Sequence, residues 1–281
     1  MTLQTLAAER FRELHRRNQP FIIPNPGDAG TAILLEQAGF AALATSTAAV
    51  AFALGVEDGK VPRGTMIRHI VEVSAATNLP VSADLGDGFG RAPETVAETI
   101  RLAAAAGAVG GSIEDASGDP SAPLLPLSLA VERIAAAVEA ARALPFPFTL
   151  TARAEHFLVG RPNLDAALTR LAAYRKAGAD VLYAPCLPDE DAVAAAVQVA
   201  GPCPLNVLAQ GKGIASSIER LSSLGVRRIS LGSGLTRLAF SSIMAAIAEL
   251  KRGRFDFLGE ATPLMQMNSL FAPTAAGSDR A

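Results

Sequence analysis

Several short apolar runs in the sequence end in groups capable of chemistry. Asp84 closes PVSADL, with Asp87 following in LGDGFG; Glu114 and Asp115 close GGSIED; Arg153 closes FTLTAR, with Glu155 just beyond it. Thr45, Ser46 and Thr47 lie at the end of FAALATS, and Glu57 and Asp58 follow in GVEDG. Carboxylates without a nearby histidine or cysteine suit a hard cation, Mg²⁺ or Mn²⁺, held mainly through water and bound substrate oxygens. Such an ion is an electrophile. Arg153 adds a planar fork that can grip a carboxylate or phosphonate at two points, or can instead pair internally with Glu114 or Glu155. A single acid after an apolar run is ordinary loop chemistry, but acids closing several neighbouring runs ask for a fold that gathers them.

Eight runs have the length and composition of buried strands: Phe21 to Asn25, Phe40 to Ser46, Pro80 to Leu85, Gly110 to Asp115, Phe148 to Arg153, Asp180 to Cys186, Pro204 to Gln210 and Arg227 to Ser233. Helical patterns such as ETVAETIRLAAAAG, SLAVERIAAAVEAARAL and LDAALTRLAAYRKAG separate them, several ending in the glycine expected past a helix C-terminus. This alternation predicts an α/β fold, a (β/α)₈ TIM-type barrel, with an open doubly wound sheet as the alternative. PNPGDAGTA after the first run lacks the G-x-G-x-x-G spacing of a dinucleotide fold, which favours the barrel. Barrel chemistry sits at the C-terminal ends of the strands, where the acids and Arg153 fall.

The 281 residues then form one domain: an N-terminal helix in MTLQTLAAERFRELHRRN, a barrel over about 21–253 and a helical C-terminal extension over about 254–281. Half the residues are hydrophobic and the formal net charge is −2, so no field gathers nucleic acid or an anionic membrane. Two cysteines, Cys186 and Cys203, are too few for a disulfide framework and predict a reducing, cytoplasmic setting. Other features are weaker. AQGKG and LGSG could cradle a phosphate, Lys212 could be imagined as a Schiff-base lysine, and Cys186 reads as a structural thiol.

From PNPGDAG through ATSTAAVAFALGVEDG, ADLGDGFG, GGSIED, TARAEHF and PLNVLA to RISLGSGL, the chain resembles the isocitrate lyase and phosphoenolpyruvate mutase superfamily. The most specific motifs are D-x-x-x-G-[FY]-G, I-E-D and A-R-x-[DE]-x-F. The resemblance implies Mg²⁺ (or Mn²⁺) and a small carboxylic-acid substrate, a 2-oxo acid or 2-hydroxy dicarboxylate, with C–C or P–C bond chemistry beside an enolate. It also implies site roles. Asp84 is the direct metal ligand, Glu114 and Asp58 hold coordinated waters, and Asp87 stands one residue from the position where the family has a second acid and this chain has Gly86. Ser46, Thr47 and Ala48 offer donors to the substrate carboxylate, Arg153 clamps the substrate, and Asn206 in PLNVLA joins the substrate site.

Departures narrow the reaction. The K-[KR]-C-G-H motif of the isocitrate and methylisocitrate lyases is replaced by ASGDPSAPLLPLS, without Cys, His or Lys, and the histidine of the phosphonate branches falls on Ala184 and Pro185. The expectation is a divergent C–C lyase, with a phosphonopyruvate hydrolase or mutase, or an inactive ligand-binding barrel, as alternatives. The stretch from Ala116 to Ser128 is expected to form its lid. Beyond the eighth barrel helix, Phe255, Phe257, Leu264, Met265, Leu270 and Phe271 need a surface to cover. The resemblance implies a partner subunit, through C-terminal helix exchange in a dimer or tetramer.

Overall fold

The computed structural model describes residues 1–209 and 217–272. Gln210 and Lys212, and the end of the C-terminal extension, lie outside these residues. Eight parallel strands run β1 (Phe21–Ile23), β2 (Leu43–Ala44), β3 (Val81–Asp84), β4 (Gly110–Glu114), β5 (Thr149–Arg153), β6 (Val181–Tyr183), β7 (Leu205–Leu208) and β8 (Arg228–Ser230). Each lies inside one of the runs marked in the sequence. Their order is β1-β8-β7-β6-β5-β4-β3-β2. The remaining seam, between β1 and β2, is stitched by Ala44 N–H to the Pro24 carbonyl at 3.0 Å and by the Asn25 amide to the Thr45 carbonyl at 2.9 Å. The result is a nearly closed (β/α)₈ barrel.

The helices that wrap it are α2 (Ala29–Gln37), α3 (Thr47–Ala53), α4 (Arg63–Ala76), α5 (Pro93–Ala105), α6 (Leu127–Arg142), α7 (Leu164–Lys176), α8 (Glu190–Ala200) and α9 (Ile218–Ser223). Several begin on side-chain caps that satisfy an otherwise orphaned N–H: Asp28 to Thr31, Ser46 to Ala49, Asn163 to Ala166 and Asp189 to Ala192. Ile70, Ile100, Ile134, Leu171 and Val193 turn inward from α4 to α8 and are buried with outward strand residues such as Ile113, Leu150 and Val207.

The N-terminal helix α1 (Leu3–Arg16) closes the barrel's N-terminal end, burying Ala8, Phe11, Leu14 and His15. Phe11 packs with Ile23, Ala42 and Val109. Gly110 makes this close approach possible, since a Cβ there would lie 2.8 Å from both the Phe11 ring and the Thr149 carbonyl.

The last helices behave differently. In α10 (Gly234–Leu250) no residue is buried, and Leu238 and Met244 are 65% and 68% exposed. α11 (Leu264–Phe271) touches α2 and also buries nothing. The uncovered apolar surface therefore starts at Leu238, earlier in the chain than the sequence pattern placed it. Among the described residues no helix is long and apolar enough to cross a membrane.

Candidate active site

A cavity of about 500 Å³ opens at the C-terminal ends of the strands. Ser46, Thr47, Ala48, Asp58, Asp84, Asp87, Glu114, Arg153 and Asn206, the residues singled out from the sequence, all line it. Asp115 does not belong there. Successive residues on a strand face opposite sides, so Glu114 points into the barrel while Asp115 points away from it.

Arg153 is the centre of the site. Its Nη1 is 2.9 Å from Asp84, its Nη2 3.1 Å from Glu114 and its Nε 2.8 Å from Glu155. The guanidinium also lies over the Tyr183 ring, 5.2 Å from its centroid. Both pairings considered from the sequence, with Glu114 and with Glu155, therefore occur together, and Asp84 joins them. Burial alone would lower the Arg153 pKa, but Glu155, Glu114 and Asp84 together hold it well above the ordinary arginine value.

One cation does not balance these acids. Burial pushes the Glu114 carboxyl well up, and Arg153 only partly offsets this. Glu155 is likewise raised by burial, and its Oε2 is buried with no partner among the described residues. At the rim, partial burial and the charge of Asp84 raise Asp58. Asp87 adds a further carboxylate to the lining.

Asp84 is tightly held. Its Oδ2 accepts from Thr47 N–H and hydroxyl, each at 3.0 Å, and its Oδ1 accepts from Arg153, from Ser112 at 3.3 Å and from Gly86 N–H at 3.3 Å. The Ser46 hydroxyl caps α3 through Ala49 N–H at 3.3 Å. Of the sequence-predicted substrate donors, Thr47 thus donates to Asp84, while the Ser46 hydroxyl accepts from the helix. The loop after β3 is wound through positive φ at Gly86 (52°), Gly88 (75°) and Phe89 (61°), which brings Asp87 to the cavity and lets its Oδ1 accept from Phe89 N–H at 2.8 Å.

Behind the cavity, Asp115 fixes the end of β5. It accepts from Glu155 N–H at 2.9 Å, the Tyr174 hydroxyl at 2.5 Å and Arg170 at 3.0 Å. Arg170 also donates to the Leu125 carbonyl at 2.7 Å, and Leu125 N–H donates to the Asp115 carbonyl at 2.9 Å. One buried carboxylate thereby anchors Glu155 and the foot of the 116–128 segment. Asp115→Asn should lower stability by about 2 to 3 kcal/mol, since it removes a buried charge partner of Arg170. Denaturant melts measure it, and a loss below about 0.5 kcal/mol would show that the network has no such weight.

Residues not marked in the sequence are Ser82, Ser112, Tyr183, Arg228 and Ser230, all lining the cavity. They lie within strands, not only at strand ends. A polar residue every second position, as in Ser112 and Glu114 or Thr149, Thr151 and Arg153, was the available signal.

An acid-rimmed arginine at the C-terminal mouth defines the class, a (β/α)₈ barrel with an ionic site. The phosphoenolpyruvate phosphomutase family model matches residues 11–251, and the chain belongs to that family, within the isocitrate lyase and phosphoenolpyruvate mutase superfamily of lyases and mutases acting on small carboxylic acids. A crystal structure from Burkholderia cenocepacia J2315, described as that of a candidate lyase/mutase, is 55% identical, covers 96% of this chain and 97% of its own, and superposes with a TM-score of 0.93. A 2-methylisocitrate lyase from Shewanella oneidensis is 29% identical over 253 residues, 87% of this chain and 85% of its own length. A phosphonopyruvate hydrolase solved with oxalate and Mg²⁺ shares the fold, with 22% identity, a TM-score of 0.84 and coverage of 96% and 95%.

Proposed function

We propose that this enzyme is a Mg²⁺- or Mn²⁺-dependent lyase that cleaves a C–C bond in a small 2-oxo or 2-hydroxy carboxylic acid and leaves an enolate fragment. The observation that carries the reading is the excess of acid around Arg153: Asp84, Glu114 and Glu155 contact a single guanidinium. The donor set is all oxygen, which suits a hard cation, and a divalent charge would relieve the strain shown by the raised Glu114 and the partnerless Glu155 Oε2. Asp84 would hold the ion directly by giving up one of its present donors. Glu114, Asp58 and Asp87 would hold its waters. Among the described residues no three such groups stand close enough to grip an ion unaided, so water and substrate oxygens would complete the shell.

A cation held there would supply Lewis-acid stabilisation for the negative charge that develops on substrate oxygens during cleavage. The chain supplies the remainder. Arg153 orients the substrate carboxylate, and Ser46, Thr47 and Ala48 border the same position at the start of α3. The 116–128 segment forms a narrow flap through the Ala116 and Leu124 bridge, with Ala116 and Gly118 facing the cavity, and serves as the lid that excludes water. The test is a screen of 2-oxo and alkylmalic acids for Mg²⁺-dependent pyruvate release, run beside phosphate release from phosphonopyruvate. Pyruvate is the expected product; phosphate alone would assign the enzyme to P–C chemistry.

The exposed apolar residues of α10 and α11 support a homo-oligomer, a dimer or tetramer in which these helices cover a neighbouring barrel. Light scattering at micromolar concentration should give a multiple of the 28.9 kDa chain mass, and a monomer would refute the exchange. A sequence with only two cysteines, too few for a disulfide framework, supports a cytoplasmic setting.

A further inference from the structure

The base of the cavity carries a charge that the chemistry above leaves unused. Arg228, the first residue of β8, is 5% exposed and lines the cavity from below. Its Nε donates to Oδ1 of Asn206 at 2.9 Å and its Nη2 to the Thr151 hydroxyl at 2.9 Å, while Nη1 lies 3.4 Å from Nε2 of His15. His15 Nδ1 is 2.8 Å from the Phe11 carbonyl oxygen. The ring proton therefore sits on Nδ1, and Nε2 offers its lone pair to the arginine. Burial, helped by the Arg228 charge, pushes His15 down to about 3, so this neighbour is neutral. Burial also lowers Arg228, to about 10, which leaves it a cation at neutral pH.

Every one of these partners is uncharged. Among the described residues no carboxylate forms an ion pair with Arg228, whereas Arg153 has Asp84, Glu114 and Glu155. A buried charge without a counter-charge is costly, and native structures rarely keep one without a use for it. The layer between the two guanidinium groups is neutral as well. Asn206 donates to the Ser230 hydroxyl at 2.9 Å, Ser230 hydrogen-bonds the Tyr183 hydroxyl, and the Tyr183 ring lies under Arg153. The cavity thus has an over-supply of acid on β3, β4 and β5 and an uncompensated cation on β8.

We propose that Arg228 is a specificity-determining residue that supplies the counter-charge for an anionic group on the substrate end remote from Asp84, so that the enzyme favours acids carrying a second carboxylate over those ending in a neutral group. The inference rests on the reading of the cavity as a site for small 2-oxo or 2-hydroxy acids. A purely structural Arg228 would tie α1 to β5 and β7, and its loss would lower stability without changing which acid is preferred.

Malate and 2-hydroxybutyrate differ in a carboxylate against a methyl group, which makes them suitable probes. Calorimetric titration of the full chain with Mg²⁺ present should show malate favoured by about 30-fold or more, the size expected for one desolvated charge pair. Arg228→Met should reduce that preference to less than about threefold by weakening malate while leaving 2-hydroxybutyrate nearly unchanged. Thr151→Asp, close in size and outside the cavity lining, places a carboxylate beside the guanidinium and should remove the preference with the melting temperature unchanged or raised. It answers the question even where Arg228→Met fails to fold. A preference that survives in either folded variant, or a wild-type enzyme that binds both acids equally, overturns the role of Arg228 and leaves the site reading intact. Wild-type enzyme that binds neither acid with Mg²⁺ overturns the site reading and this inference with it.

Discussion

Arg153→Met should cost the enzyme both its activity and much of its stability. The Arg153 side chain is 11% exposed and contacts Glu155, whose side chain is 1% exposed, together with Glu114 and Asp84. Removing one partner of a buried ionic group leaves the others uncompensated, at about 3 to 5 kcal/mol. Turnover should fall by about 100- to 1000-fold or more if, as proposed, the same group orients the substrate. The stability loss has a definite pH dependence. Glu114 and Glu155 are already raised by burial, and without Arg153 they rise further. Acids whose folded pKa exceeds the unfolded value bind more protons when folded, so the variant should lose stability as pH rises above the unfolded carboxylate range. Melting curves from pH 5 to 8 should show its deficit relative to wild type widening with pH. A constant deficit would mean that the acids do not depend on Arg153.

Asp84→Ala separates activity from stability. Arg153 keeps Glu114 and Glu155 as partners, so the fold should survive at a cost of about 1 to 2 kcal/mol, whereas metal-dependent turnover should disappear. Wild-type enzyme at a Mg²⁺ concentration of about 100 times its dissociation constant should gain about 2.7 kcal/mol of stability by mass action. The variant should gain almost none of it. Normal Mg²⁺ activation in Asp84→Ala would show that the ion is held elsewhere.

Most of the barrel was legible because its strands are short, apolar and separated by helical stretches, a pattern that admits few architectures. The strands are shorter than the runs that marked them: Phe40 to Ser46 yields only Leu43–Ala44, because Ser46 already caps α3. Strand ends revealed Asp84, Glu114 and Arg153, but the same rule placed Asp115 on the rim. Strand alternation turns it to the Tyr174 and Arg170 side, where it anchors Glu155 instead. Tyr183, Ser112 and Arg228 went unmarked because they lie inside the runs, where only their inward-facing register distinguishes them. The exposure of α10, which touches α3 but buries no residue, was not legible either. Its apolar residues read like those of a helix buried on its own barrel, and only the path of the chain shows that they stay exposed.

Calorimetric titration of oxalate, a planar mimic of the enolate, into enzyme with Mg²⁺ and into enzyme with chelator tests most directly whether a cation and an enolate-like acid share this site. Oxalate should bind in the Mg²⁺ sample, fail to bind under chelator, and lose its Mg²⁺-dependent binding in Asp84→Ala. Equal binding with and without the metal, or no binding in either, would contradict the metal-dependent lyase.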